Sequence, residues 1–91
     1  MRIRWTPSAA ADLEQIYVYL QNNFPQFARR TVIDLYERIR SLRASPLRGR
    51  LGREEGSREL VFSPLPYIAV YRIKDDFIEV LHIYHGAQER P

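Results

Sequence analysis

The sequence predicts a small α+β domain, ordered β-α-α-β-β-β, in which a helical hairpin covers one face of an antiparallel sheet. Three observations carry this reading. Two stretches place apolar residues at helical spacing on either side of a short Asn-Asn-Phe-Pro break, three strand-like runs fill the second half, and a short alternating run precedes the first helix. At 91 residues the chain is the size of one domain, residues 1–91, and no linker, repeat or low-complexity tract divides it.

Residues 2–5 alternate and read as a first strand that ends at Thr6-Pro7. Thr6 is suited to N-cap the following helix and Pro7 to its first position, where a missing N–H costs nothing. Leu13, Ile16, Tyr17, Leu20 and Phe24 then fall on one helical stripe, and Asp12 and Glu14 complement the dipole near its start. The Asn22-Asn23-Phe24-Pro25 break ends this helix, and Pro25 opens a second whose core stripe is Ala28, Val32, Leu35, Ile39 and Leu42, running until Ser45-Pro46. So short a break makes the pair an antiparallel hairpin. Val18, Tyr19 and Ile33 fall off both stripes and are expected at the surface. Three exposed apolar residues on one small hairpin mark a candidate partner-binding surface.

Residues 47–57 hold Gly49, Gly52 and Gly56 among charged side chains and read as a polar surface loop. Residues 58–63, 67–74 and 77–84 form an antiparallel meander, with Pro64-Leu65-Pro66 and Asp75-Asp76 between them. A two-residue turn at Asp75-Asp76 sets Ile73 opposite Ile78, Arg72 opposite Glu79, Tyr71 opposite Val80 and Ala69 opposite His82.

Composition narrows the chemistry. Apolar residues at 45%, charged residues at 27% and a mean hydropathy of −0.40 describe an ordinary globular domain. The absence of Cys excludes disulfides, a thiolate nucleophile and a Cys-based zinc site, and suits a reducing cytoplasm. No apolar run approaches the roughly 18 residues that span a bilayer, so no membrane association is expected. Net charge is +3, with thirteen Arg against Lys74 alone. GC-rich coding would produce this surplus, and so would a surface that meets nucleic acid or an acidic protein through bidentate Arg contacts.

Familiar catalytic motifs are missing. His82 and His85, three apart on a strand, point to opposite faces, so no metal site is expected. The Gly49-Arg50-Leu51-Gly52-Arg53 run lacks the Gly-Lys-Ser/Thr ending of a phosphate loop, and no cofactor is expected. Glu54-Glu55 sit among arginines as a solvated charge run, and no Gly-x-Ser-x-Gly elbow is present. His85 at the end of the last strand stands out. Beside Tyr84, with Arg58 and Arg72 on neighbouring strands, it could grip or cleave RNA, the imidazole as acid or base, the guanidinium on phosphate and the phenol stacking. The alternative is that His85 hydrogen-bonds a backbone group and closes the sheet.

In order, Trp5-Thr6-Pro7-Ser8-Ala9-Ala10-Ala11-Asp12-Leu13, Ala28-Arg29-Arg30, Arg58-Glu59-Leu60, Ser63-Pro64, Pro66-Tyr67, Val70-Tyr71-Arg72 and His85-Gly86-Ala87 resemble the RelE/ParE family of toxins from bacterial type II toxin-antitoxin modules. The resemblance spans nearly the whole chain and implies the same β-α-α-β-β-β fold. It also implies a cytoplasmic poison held inactive by a cognate antitoxin of ParD or RelB type, with operator DNA reached only through that antitoxin. In the ribonuclease branch, basic residues on the middle strands and a C-terminal basic residue and aromatic cut mRNA on the ribosome. By the resemblance these positions fall at Glu59, Val61 and Ile68, near Gly86 and at about Arg90, and the chain departs from the pattern there. The ParE branch carries His-Gly-Ala-Arg where this chain has His85-Gly86-Ala87-Gln88, and poisons DNA gyrase by binding. The resemblance therefore implies a gyrase inhibitor of the plasmid-stabilising kind, with Arg58, Arg72, His85 and Arg90 on the target and Val18, Tyr19 and Ile33 on the antitoxin. In that reading there is no catalytic residue. The alternatives are an mRNA endoribonuclease using His85, Arg58 and Tyr84, and a degenerate toxin that serves only as an antitoxin-binding corepressor.

Overall fold

The computed structural model describes residues 1–87, which form β1 (Arg2–Trp5), α1 (Pro7–Asn23), α2 (Pro25–Arg40), a 3₁₀ turn (Ser41–Arg43), β2 (Arg50–Leu51), β3 (Ser57–Val61), β4 (Tyr67–Lys74) and β5 (Phe77–His85). Thr6, extended at φ −71° and ψ 158°, caps α1 by accepting the Ala9 N–H on its side chain, and Pro7 opens the helix. Phe24 alone joins the helices: its N–H donates to Leu20 O at 2.7 Å and its carbonyl accepts from Phe27 N at 2.9 Å. One residue serving both ends makes the hairpin tight.

The sheet order is β1-β5-β4-β3-β2. The meander β3-β4-β5 is antiparallel as expected, but β1 runs parallel to β5, so the sheet is mixed rather than antiparallel throughout. Local alternation carries no information on a strand's direction relative to a partner more than seventy residues away. The expected loop 47–57 also contains a strand. Arg50–Leu51 pairs with Glu59 and Arg58, held by Gly52 N donating to Ser57 O at 2.8 Å and by the Arg50–Glu59 ion pair.

The core lies between hairpin and sheet, where Leu35, Ile39, Leu42, Phe62, Tyr71, Ile78 and Val80 are fully buried. The α2 stripe packs as read from its spacing. In α1, Ala9 and Leu20 are buried and Leu13 and Ile16 half-buried, but Tyr17 and Phe24 are 39% and 47% exposed. Tyr17 lies roughly 100° round the helix from Ile16 and leaves the core face, and Phe24 sits at the hairpin tip.

The register Ile73–Ile78, Arg72–Glu79 and Tyr71–Val80 is as expected, but Ala69 faces Ile83 and Val70 faces His82. Leu81 is an extra residue, a β-bulge that reverses the phase of β5. Tyr67, Ala69 and Tyr71 therefore share the hairpin side with Ile78, Val80, Ile83 and His85. Ile68, Val70 and Arg72 share the open face with Glu79, His82 and Tyr84.

Candidate target- and partner-binding surfaces

The bulge lies where β1 ends, so among the described residues no strand neighbours the outer edge of β5 beyond Val80. Side chains from α1 take its place. Thr6 N donates to Val80 O at 3.1 Å, Thr6 Oγ1 donates to Leu81 O at 3.1 Å, and Asp12 Oδ2 accepts the Ile83 N–H at 2.9 Å. The same carboxylate lies 3.5 Å from His82 Nδ1. Asp12 is thus a structural ligand of the strand edge, a role that its spacing in the sequence did not signal; it and Glu14 lie beyond the first turn of α1, too far along for the dipole role expected of them.

His85 stacks edge-on against Tyr67, ring centroids 5.8 Å apart, and its Nδ1 accepts from Ala87 N at 3.2 Å. Burial, and after it the nearby Tyr19 phenol, pushes the Tyr67 hydroxyl above its usual range and keeps it protonated. Tyr19, Tyr67 and His85 line an open cleft of about 1430 Å³ that continues round the end of β5 onto the open face.

The trio of the alternative ribonuclease reading does not lie on one face. Tyr84 is on the open face, whereas Arg58 and His85 are on the hairpin side. Arg58 stands opposite Tyr71 and His85 opposite Tyr67, four positions or about 13 Å along β4. Arg58 is moreover engaged: its guanidinium donates to Gly49 O at 2.7 Å and to Leu47 O at 3.3 Å, fastening the loop before β2.

The positions that resemblance equates with ribonuclease cations do form one patch, since Val61 faces Ile68 and Glu59 faces Val70 on the open face. Glu59, Val61, Ile68 and Val70, which form that patch, include no cation. Glu59, only 3% exposed, accepts from Arg50 Nε at 3.1 Å and Nη2 at 2.9 Å. Arg72, although opposite Glu79 in the register, pairs instead with Glu54 at 3.0 Å. Arg50 and Arg72 are thus each bound to a carboxylate, while Arg53, on the loop before β3, also lines the cleft beside Glu59 and Arg72. Arg90 lies outside the described residues.

On the hairpin, Val18, Tyr19 and Ile33 are 51%, 55% and 47% exposed, as their spacing predicts. Tyr19 lines the cleft that His85 also lines, whereas Val18 and Ile33 do not. A second apolar feature escaped the sequence reading. Trp5, Leu13, Tyr17, Val32 and Tyr36 line a groove of about 370 Å³, with the Trp5 and Tyr36 rings stacked at 6.0 Å and 14°. The signal was present in Tyr17 and Tyr36, aromatic residues at the margins of their stripes.

Comparison with known proteins accords with this architecture. The family described as ParE toxin of type II toxin-antitoxin system, parDE, matches residues 3–90. A Sinorhizobium fredii protein named as the toxin Y4kP is 39% identical over 90 residues, covering 99% of this chain and 93% of its own. Among solved structures, a chain of the chromosomal ParDE toxin-antitoxin system of P. aeruginosa superposes with a TM-score of 0.85 at 33% identity, over 93% of this chain and 95% of that one. A chain of the RelBE2 toxin-antitoxin complex of Mycobacterium tuberculosis gives 0.60 at 25% identity, over 92% and 95%. The YoeB dimer of Staphylococcus aureus shares the fold, with a TM-score of 0.62 at 19% identity over 93% and 97%.

Proposed function

Because the chain belongs to the ParE toxin family and is the toxin of a type II toxin-antitoxin system, we propose that it poisons by binding rather than by cutting, with DNA gyrase as its target. The observation that carries this reading is the state of the open face. Cleaving a phosphodiester needs cations aimed at the charge that develops on phosphorus oxygens, usually the largest single catalytic term. Here those positions are Glu59, Val61 and Ile68, and the nearby Arg50 and Arg72 are held by Glu59 and Glu54. Arg58, Tyr84 and His85 also fail to converge on one substrate phosphate. A binding poison needs none of this, and His85 beside Tyr67 at the mouth of the cleft is suited to a contact.

Purified protein is expected to inhibit gyrase supercoiling and to leave ribosome-bound mRNA intact. A general acid or base contributes about 10²- to 10⁴-fold to cleavage, so in a nuclease His85→Ala would nearly abolish activity. In a binding poison only a few contacts exceed about 1 kcal/mol, and His85→Ala should keep partial activity. Truncation after Gly86, which removes Arg90, should lose most of it. Site-specific mRNA cuts that vanish in His85→Ala, with supercoiling untouched, would establish the nuclease instead.

By the same reading the chain has a cognate antitoxin of ParD or RelB type, operator DNA is bound through that antitoxin, and the complex acts in the cytoplasm. Its similarity to chains of the P. aeruginosa and M. tuberculosis toxin-antitoxin systems supports such a partner. Among the described residues no helix is long and apolar enough to cross a membrane. An antitoxin helix laid across the hairpin would cover Val18, Tyr19 and Ile33, and the Trp5–Tyr36 groove extends the apolar area available to it. Tyr19→Asp combined with Ile33→Asp should weaken antitoxin binding about tenfold or more while the toxin stays folded. Unchanged affinity by calorimetry would remove this surface from consideration.

A further inference from the structure

The geometry points to Asp12 as the positioning residue for the toxin's C-terminal contact surface, an inference that rests on the reading of the His85 end as the part that meets the target. Asp12 lies on α1, far in sequence from that end, and its side chain lines the same cleft as His85. Its carboxylate accepts the Ile83 N–H at 2.9 Å, two residues after the bulge and two before His85. Thr6 Oγ1 holds Leu81 O at 3.1 Å on the same edge.

The consequence follows from the two-residue period of a strand, in which a shift of one residue moves every later side chain to the other face. Without the extra Leu81, alternation from Ile78 and Val80 would carry His82 and Tyr84 to the hairpin side. Ile83 and His85 would go to the open face. With it, Ile83 is buried at 3% exposure and His85 meets Tyr67 at 5.8 Å. Among the described residues the bulged edge has no strand beside it, and its outward groups are met by Thr6 and by the Asp12 side chain. Pairing with β4 and the Gly86 N–H on Pro66 O hold one edge of the strand beyond the bulge; on the other edge Asp12 grips it at Ile83 and steadies the side on which His85 is presented. His82 Nδ1 approaches the same carboxylate to 3.5 Å from the open face.

The test compares Asp12→Ala with Asp12→Asn, whose amide oxygen can still accept the Ile83 N–H but carries no charge. All measurements are made at a temperature where melting curves show each variant folded. Nuclear Overhauser contacts between the Tyr67 and His85 rings should be present in wild type and Asp12→Asn and lost in Asp12→Ala. Growth arrest on induction, corrected for the amount of soluble toxin, should need at least tenfold more Asp12→Ala than wild type, and no more than about threefold more Asp12→Asn. If Asp12→Ala does not fold, Asp12→Leu takes its place, keeping helix propensity and bulk while removing the acceptor. A folded Ala or Leu variant that keeps both the ring contact and full toxicity overturns the proposal, as does Asp12→Asn behaving like Asp12→Ala. Wild type that arrests growth without inhibiting gyrase would overturn the gyrase reading alone, because neither arm of this test uses gyrase.

Discussion

Leu35→Ala is expected to lower the melting temperature by on the order of 10–30 °C and to abolish toxicity through unfolding. Leu35 is completely buried in the middle of α2, in the cluster that also contains Ala9, Ile39, Leu42, Phe62 and Tyr71. Removing three methyl-sized groups there loses their transfer free energy and leaves a cavity that the sheet below cannot collapse to fill, a cost of about 2–5 kcal/mol. A domain this size has only about 5–14 kcal/mol in total. Its helices are joined by Phe24 alone, so α2 has no long connection through which to shift towards the gap. Melting within a degree or two of wild type would show that α2 does not seat on the sheet through Leu35.

Tyr71→Phe is the second large effect, and it acts through polar groups. The Tyr71 side chain is fully buried, its hydroxyl donates to Pro46 O at 2.6 Å, and it accepts from Gly49 N at 2.9 Å. Phenylalanine fits the same space but leaves a buried N–H and a carbonyl without their partner, each at about 1–3 kcal/mol. A loss of about 2–4 kcal/mol is expected, with faster amide exchange at Gly49 as its local signature. Arg58 still holds Gly49 O and Leu47 O, which limits the damage. The loop has little freedom to re-form elsewhere, because a Cβ at Gly49 would lie 2.7 Å from the Tyr71 ring and 2.9 Å from Glu59 O. Unchanged stability and unchanged exchange at Gly49 would refute this account of how the loop is anchored.

The helices and meander were legible because their signals are local. Thr6-Pro7 and Pro25 open helices where capping chemistry places them, and the Asp75-Asp76 turn fixes the register of its nearest residues. What escaped depends on distant partners. Arg50–Leu51 is too short and polar to show a period, and it is a strand only because Glu59 lies opposite. The parallel pairing of β1 is set by how the hairpin crosses the sheet. The bulge left a trace, since Val80-Leu81 followed by Ile83 breaks strict alternation, but reading it requires knowing which face is buried.

The site was less legible for the same reason. Residue type singled out His85, and the exposure of Val18, Tyr19 and Ile33 followed from helical spacing. That Arg58 is spent on carbonyls, and that carboxylates hold Arg50 and Arg72, depends on loops whose path no local pattern encodes. The Trp5–Tyr36 groove combines three elements, each of which reads separately as ordinary core.

The parallel pairing of the first strand with the last also sets a timetable for the protein's own synthesis. Strand β5 is bounded on one side by β1 and on the other by β4, and the Thr6–Leu81 hydrogen bond spans 75 residues. While a ribosome is still adding the residues before Phe77, the emerged chain can form its helical hairpin from local contacts, but Ile3 and Trp5 have no strand to join. Ile78, Val80 and Ile83, which close the core beneath α1, do not yet exist. Contacts of such long sequence separation form late, and here they cannot form before β5 has been made. A nascent chain that has not reached β5 therefore lacks a closed core and the strand that carries His85. The folded surface, and with it any face an antitoxin could recognise, arises only once β5 has joined β1 and β4.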